Sequence, residues 1–360
     1  MKTDLNKLRQ SIDGVDGQIA RLLNKRAELA LAVGKLKNQS AGAVKAVYVP
    51  SREKEVLQNV KTAGRISKGK LSEESLEAIY CEIISACRNL ETPNKVAFLG
   101  PWATFSHQAA IKIFGSSGFF IPTATVKEAL QEIESGRADF AVVPVENSTE
   151  GSVNATLDIL VETELKICGE ISLKIEQSFL VKDPDASILR VYSHPQALAQ
   201  CRAWLSRNYP NAELEPVSST AEAAKKASKD GFAAAVASEA SGKIYNLFVL
   251  QKGIQDVKEN FTRFFVVGNI LTKPAAKNKT SLVFIVKDRV GALYDALGVF
   301  NKNKVNLTKI ESRPTKKKAW EYMFFADIEG HVNDAKIAKT LEELKKYASF
   351  IKTLGSYPKA

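Results

Sequence analysis

The chain is poor in several residue types and patterns, and each scarcity removes a class of protein. Only four of its 360 residues are cysteine (Cys81, Cys87, Cys168 and Cys201). They form no CxxC pair and no zinc spacing, so a reduced protein without a structural metal is expected. No run approaches the ~18 consecutive apolar residues that span a bilayer. The opening, Met1 to Gln10, lacks the apolar core of a signal peptide. These absences predict a cytoplasmic protein with no membrane partner. Nucleic acid is expected to be no partner either, because basic residues are not interleaved with aromatics and no recognition-helix motif is present. The net charge of +11 instead suits an anionic small molecule. The densest basic run, Thr315 to Lys318, follows Pro314 and reads as a solvated hairpin tip.

What is present is ordinary in bulk and organised along its length. A hydrophobic fraction of 45% and a charged fraction of 25% fit a soluble globular chain, and 360 residues allow two or three domains. Residues 1–92 read as helical: Leu5, Leu8, Ile12, Val15, Ile19, Leu22, Leu23, Leu29 and Val33 recur at helical spacing, in one long helix running towards Lys37. A second helix is expected after Pro50 and a third from Ser72, with Glu73 and Glu74 in its first turn. Such a long helix cannot bury its stripe alone, so a dimer is expected. Thr92-Pro93-Asn94 breaks the pattern, and residues 95–272 alternate strands with helices, as in an α/β fold. After the polar linker Lys273 to Lys279, residues 279–356 read as βαββαβ.

Within the central segment, three polar clusters follow apolar, β-branched runs: Pro144 to Gly151, Ser193 to Leu198, and Asn260-Phe261-Thr262-Arg263-Phe264. Strand ends opening into a polar cleft have this pattern. In the helical segment, Arg26 and Lys37 lie eleven residues apart and share a helix face, whereas Arg9 is rotated about 100° away and would more readily reach a neighbouring subunit. Taken alone, these cations would be solvated surface groups.

Longer motifs change that weighting. Arg9-x-x-Ile12-Asp13, Leu22-Leu23-x-x-Arg26-x-x-Leu29-Ala30, Val33-Gly34-Lys35-x-Lys37 and Tyr48-x-Pro50-x-Arg52-Glu53 resemble the all-helical chorismate mutase family. The resemblance implies a domain-swapped helical dimer that rearranges chorismate to prephenate. Arg9 of the partner chain and Arg26 would hold the two carboxylates, Lys37 the ether oxygen, and Arg52 and Glu53 the rest of the substrate, with Glu53 accepting a hydroxyl. A pericyclic rearrangement requires no proton transfer, only a held conformer and stabilised charge, and arginine forks suit carboxylates. Val49 stands where some relatives have Asp, leaving only its backbone for ligand. Glu91, one turn after Cys87, stands where others have Gln, and a carboxyl there donates to the ether oxygen only when protonated. A mutase rate that falls with rising pH is therefore expected.

The central segment resembles prephenate dehydratase through Leu99-Gly100-Pro101-x-x-Thr104-Phe105-Ser106, Pro144-Val145-Glu146-Asn147-Ser148-x-x-Gly151, His194-Pro195-Gln196-Ala197-x-x-Gln200-Cys201 and Asn260-x-Thr262-Arg263-Phe264. The family fold is two α/β lobes around a cleft, and the implied reaction takes carbon dioxide and hydroxide from prephenate to leave phenylpyruvate, with no cofactor and no metal. Thr262 would donate to the leaving hydroxyl. Thr104, Ser106, Glu146, Asn147, Ser148, Gln196 and Phe264 would shape the substrate site, and Arg263 would pair either with a substrate carboxylate or with Glu146. His194, before a proline, is read as a structural hydrogen-bonding residue. Trp102-Ala103 replaces the usual x-Gly, where a Cβ would resist positive φ, and Gln177 replaces a frequent His.

Residues 279–356 resemble an ACT domain through Arg289-Val290-Gly291-Ala292-Leu293, Val305 to Ile310, Glu311-Ser312-Arg313-Pro314 and Trp320-Glu321-Tyr322-x-Phe324-Phe325. The resemblance implies phenylalanine bound between two such units, by Gly291, Ala292, Leu293, Asn306, Leu307, Glu311, Ser312, Arg313 and Pro314. The domain order is thus mutase, dehydratase, regulator: a bifunctional, phenylalanine-inhibited homo-oligomer, a dimer through the helices and ACT units or a tetramer of such dimers. The rival reading is a non-catalytic ligand sensor on the same folds.

Overall fold

The structure, a computed structural model, describes residues 2–39, 48–66, 69–316 and 320–360. The chain forms two compact units. The first holds the N-terminal helices to Asn94 together with Lys112–Phe119; the second holds Lys95–Ile111 and Phe120–Ala360.

The first unit is built on α1 (Lys2–Gln39), α2 (Pro50–Ile66) and α3 (Glu73–Glu91). Pro50 opens α2, where its missing N–H costs nothing, and the Ser72 hydroxyl accepts from the Ser75 N–H to cap α3. Residues 40–47, between α1 and α2, lie outside the described residues. On α1, Leu5, Leu8, Ile12, Val15, Ile19, Leu22, Leu29, Val33 and Leu36 are each at least 47% exposed. They step by 3 and 4 residues alternately, with Arg26 at the one intervening position. That is a heptad seam left largely exposed by the described residues.

The second unit has two α/β lobes and a βαββαβ module. The first lobe carries β1 (Lys95–Leu99), α4 (Phe105–Phe114), β2 (Phe119–Thr123), α5 (Val126–Glu134), β3 (Phe140–Asn147), β4 (Gly151–Ser152), α6 (Asn154–Glu162) and β5 (Lys166–Lys174). The second carries β6 (Ser178–Val181), β7 (Arg190–Ser193), α7 (Pro195–Gln200), α8 (Arg202–Asn208), β8 (Glu213–Pro216), α9 (Thr220–Ala227), β9 (Ala233–Ala237), α10 (Glu239–Tyr245) and β10 (Phe248–Lys252). The chain then returns through β11 (Phe261–Gly268), giving sheet orders β2-β1-β3-β11-β5 and β10-β6-β9-β7-β8. The second lobe is drawn tight by alanine: all of β9 is buried, against Ala221, Ala223, Ala224 and Ala227 of α9, because small side chains let a helix lie close on a strand.

The last module comprises β12 (Asn278–Val286), α11 (Ala292–Lys302), β13 (Leu307–Pro314), β14 (Tyr322–Glu329), α12 (Ala335–Leu344) and β15 (Ala348–Pro358), in the order β13-β14-β12-β15. The final strand runs to Pro358, past the expected domain end at 356, because β12 pairs with it from Val286↔Ala348 to Asn278↔Pro358. Part of the expected tip at 314–318 (Lys317 and Lys318) falls outside the described residues. This module shares one core with the first lobe: Val283, Met323, Phe325, Leu354 and Tyr357 pack with Val143, Val145, Leu157, Ile167 and Phe265. Gly355 permits the approach, since a Cβ there would lie 2.1 Å from the Ile167 carbonyl oxygen.

Candidate functional site

Two pockets carry the chemistry expected of the sequence, one in each unit. The first, about 340 Å³, is lined by Arg26, Ala30 and Val33 of α1, Arg52, Glu53 and Val56 of α2, and Ile84, Cys87, Arg88 and Glu91 of α3, with Val49 beside them. A Cβ on Gly34 would approach Glu91 Cγ to 3.1 Å, so the glycine lets α1 and α3 close around the carboxyl. Lys37 lies on α1, but its side chain falls outside the described part of the chain. Arg9 is exposed and does not line its own chain's pocket. Sequence reasoning missed Arg88, which is 5% exposed and donates to Glu53 Oε1 at 2.6 Å.

The second pocket, about 330 Å³, lies between the two lobes. Thr104, Ser106, Asn147, Gln196, Thr262 and Phe264 line it, as do Gln177, His194, Gln200 and Ser218-Ser219-Thr220. No lysine or arginine is among the lining residues. In their place, α4, α7 and α9 turn their first residues into the cleft, and helix N-termini favour anions. His194 is the N-cap of α7, its Nδ1 accepting the Gln196 N–H at 3.3 Å. The Ala103 backbone does adopt positive φ, 71°, despite its Cβ. Its N–H reaches His107 Nδ1 at 3.3 Å and its carbonyl accepts from Ser241 Oγ at 3.1 Å, which hold the turn. Burial lowers the His107 imidazole below its ordinary value, which keeps that acceptor nitrogen neutral.

Donor direction around Thr262 is fixed by backbone. The Thr149 N–H donates to Asn147 Oδ1 at 3.0 Å, and the Thr149 hydroxyl does so at 2.6 Å. The amide nitrogen of Asn147 therefore faces the other way, donating to Thr262 Oγ1 at 2.9 Å and Asn260 Oδ1 at 2.8 Å. A hydroxyl that already accepts from an amide directs its own proton elsewhere, and the cleft lies beside it.

Strand alternation corrects part of the expected site. Asn147 and Thr262 are register partners, as are Glu146 and Arg263 one residue away. Period 2 sends the second pair to the opposite face, so Glu146 and Arg263 do not line the cleft. Glu146 sits 3.6 Å from Arg263 and 3.0 Å from Lys309. Arg263 binds Glu170 at 2.6 Å, Asp327 at 2.5 Å and the Tyr357 hydroxyl at 3.0 Å. Burial opposes its charge, but Tyr357, Asp327 and Glu170 outweigh burial and hold the guanidinium above its ordinary value. Ser148 is also outside the cleft: its hydroxyl accepts the Phe261 N–H and donates to the Glu259 carbonyl, clamping the loop to β11.

A third pocket lies on the C-terminal module, lined by Gly291, Ala292, Leu293 and Ser312 with Arg289, Tyr294, Trp320 and Tyr322. Gly291, at φ 76°, starts α11 in a conformation few other residues adopt. The other expected effector residues are elsewhere within one chain. On β13, Lys309, Glu311 and Arg313 turn to the first lobe, with Glu311 meeting Ser152 and Arg313 meeting Asp158 at 2.9 Å, while Leu307, before a register shift in the strand, packs on the module's own core. Asn306 donates to Glu329, and Pro314 ends the strand.

Comparison with known proteins matches these sites in order. Residues 8–92 match the family model for chorismate mutase type II, residues 96–270 that for prephenate dehydratase, and residues 280–346 that for the ACT domain. A bifunctional chorismate mutase/prephenate dehydratase of Aquifex aeolicus is 48% identical over 359 residues, 99% of this chain and 98% of that one. The solved prephenate dehydratase of Arthrobacter aurescens, in complex with L-Phe, is 35% identical with a TM-score of 0.68, over 74% of this chain and 90% of that one. A structure described as a quorum quenching acylase, GqqA, is 28% identical with the same TM-score, over 74% of this chain and 98% of its own. With 48% identity along almost its whole length, the chain belongs to the bifunctional chorismate mutase/prephenate dehydratase family.

Proposed function

We propose that this chain converts chorismate to prephenate in the helical pocket and prephenate to phenylpyruvate in the two-lobed cleft, with phenylalanine as the inhibitor sensed by the C-terminal module. The observation that carries the second step is the set of donors around Thr262. As the ring carboxylate leaves as carbon dioxide, its electron pair enters the ring and expels the hydroxyl at the opposite carbon. Thr262, accepting from Asn147, donates a hydrogen bond to that leaving oxygen and keeps its own proton; the oxygen departs as hydroxide and is protonated by solvent. The cation-free lining suits this chemistry. A guanidinium on the departing carboxylate would stabilise charge that the transition state is losing, and so would raise the barrier. Helix N-termini still hold the side-chain carboxylate.

In the helical pocket, Arg26, Arg52 and Lys37, with Arg9 from a second copy, grip a diacid, while Glu53, Cys87, Glu91 and the Val49 backbone surround it. The exposed heptad seam on α1 supports a homodimer through these helices. The absence of any described helix long and apolar enough to cross a membrane accords with a cytoplasmic enzyme. A sensor without catalysis would not require the oriented Thr262 hydroxyl.

The test is Thr262→Ala. Removing one aligned donor to a developing charge costs roughly 10²–10³ in kcat, so phenylpyruvate formation from prephenate falls by that factor while chorismate consumption is unchanged. Full dehydratase rate in the variant would remove Thr262 from the mechanism.

A further inference from the structure

Arg88 has no place in the residue set that the family motifs assign, yet it is the most deeply buried cation of the helical pocket. Its surroundings are built around it. Nη1 donates to Glu53 Oε1 at 2.6 Å, and Nη2 donates to the Phe114 carbonyl at 2.8 Å. The guanidinium carbon lies 5.4 Å from the Tyr48 ring centroid and 5.2 Å from that of Phe114, and the two rings are themselves 4.8 Å apart. Phe114 is followed by Gly115 at φ 73°, where a Cβ would lie 2.3 Å from Ser85 Cβ on α3, and Ser116 binds Glu82 of the same helix through both its N–H and its hydroxyl. A buried arginine held by two rings and a carbonyl is a fixed point. Glu53 lies in the first turn of α2, and on the mutase reading its carboxylate has to meet a substrate hydroxyl.

We propose that Arg88 is a positioning residue of the mutase reaction: it fixes the Glu53 carboxylate in the orientation that accepts the substrate hydroxyl, and is itself anchored by Tyr48 and by Phe114. The inference rests on the mutase reading of this pocket. It also makes residues 112–119, which lie within the dehydratase family match, part of the mutase's supporting structure.

The test is a double-mutant cycle in the full-length chain, with the dehydratase rate on prephenate as an internal control. Arg88→Met keeps a side chain that fills the space between the rings and removes the fork. Its mutase kcat/KM is expected to fall about 100-fold, the usual scale for a misplaced contact group, with the dehydratase rate unchanged. Arg88→Lys keeps a cation near Glu53 and should stay within about tenfold of the parent. In a Glu53→Gln background, Arg88→Met should cost less than about threefold, because a residue that acts through Glu53 has little left to position. Equal losses in both backgrounds, or Lys no better than Met, would assign Arg88 a packing role and overturn the proposal; so would a parental mutase rate in Arg88→Met. If Arg88→Met does not fold, the same cycle is run with Arg88→Lys, and full multiplicativity there overturns it equally. A parent chain that turns over prephenate and leaves chorismate intact would instead sink the mutase reading itself.

Discussion

Single atoms decide most of the chemistry here. The Thr149 N–H sets the Asn147 amide, and that amide sets the Thr262 hydroxyl. In the helical pocket the corresponding detail is Glu91. A carboxyl donates to an ether oxygen only when it carries a proton, whereas an amide always donates. Glu91→Gln, which supplies a permanent donor, should therefore raise the mutase kcat several-fold, the scale of about one added hydrogen bond. Steady-state rates on chorismate check this; an unchanged or lower kcat would remove this position from donation to the ether oxygen.

Between elements, the telling feature is the ion cluster under β11. Glu170 of β5 is 3% exposed, bound by Arg263 and by Lys279 of β12. Burial alone would raise its carboxyl, but Arg263 and Lys279 outweigh burial and hold it below the ordinary carboxylate value. A group depressed in the folded state contributes stability above its unfolded value, and that contribution is lost as pH falls through the folded value. The second unit should therefore lose stability on acidification below the usual carboxylate range, and Glu170→Gln should lessen that dependence while lowering stability at neutral pH by about 3 kcal/mol, the scale for leaving a buried charge uncompensated. Thermal unfolding between pH 3 and 7 measures it; an identical slope in the variant contradicts the assignment. The same strands show what sequence can and cannot convey. That Thr262, Asn147 and Gln196 line one cleft was legible because their polar motifs follow apolar strand runs. The long first helix, its Ser72-capped neighbour and the βαββαβ order were legible from periodicity and breakers. The roles of Glu146, Arg263, Glu311 and Arg313 were not, because motif membership does not say which strand face a side chain takes. Counting in twos from Thr262 would have separated Arg263 from the cleft. Arg88 was illegible because its partners, Tyr48 and Phe114, are distant in sequence and join only through folding.

For the whole molecule, the unanswered surface is the apolar seam of α1. Nine exposed leucine, isoleucine and valine side chains lie on one heptad stripe, and in the homodimer proposed above Arg9, on the same helix, would enter the second copy's pocket. If the seam is the interface, as proposed, Ile12→Asp should give a monomer and lower mutase activity by at least about 100-fold, since each pocket then lacks its partner's arginine, while the dehydratase persists. Light scattering beside both assays decides; a stable dimer with this charge on the seam would place the interface elsewhere. A solved structure described as a quorum quenching acylase shares the fold of 74% of this chain, so fold does not by itself dictate chemistry and the function proposed rests on the two pockets. Its most direct test is one reaction vessel with purified chain and chorismate as the sole substrate, followed for phenylpyruvate with and without phenylalanine. Phenylpyruvate should form by way of transient prephenate, and phenylalanine should suppress the second step. Chorismate consumed with no phenylpyruvate formed, or no consumption at all, would contradict the proposed function.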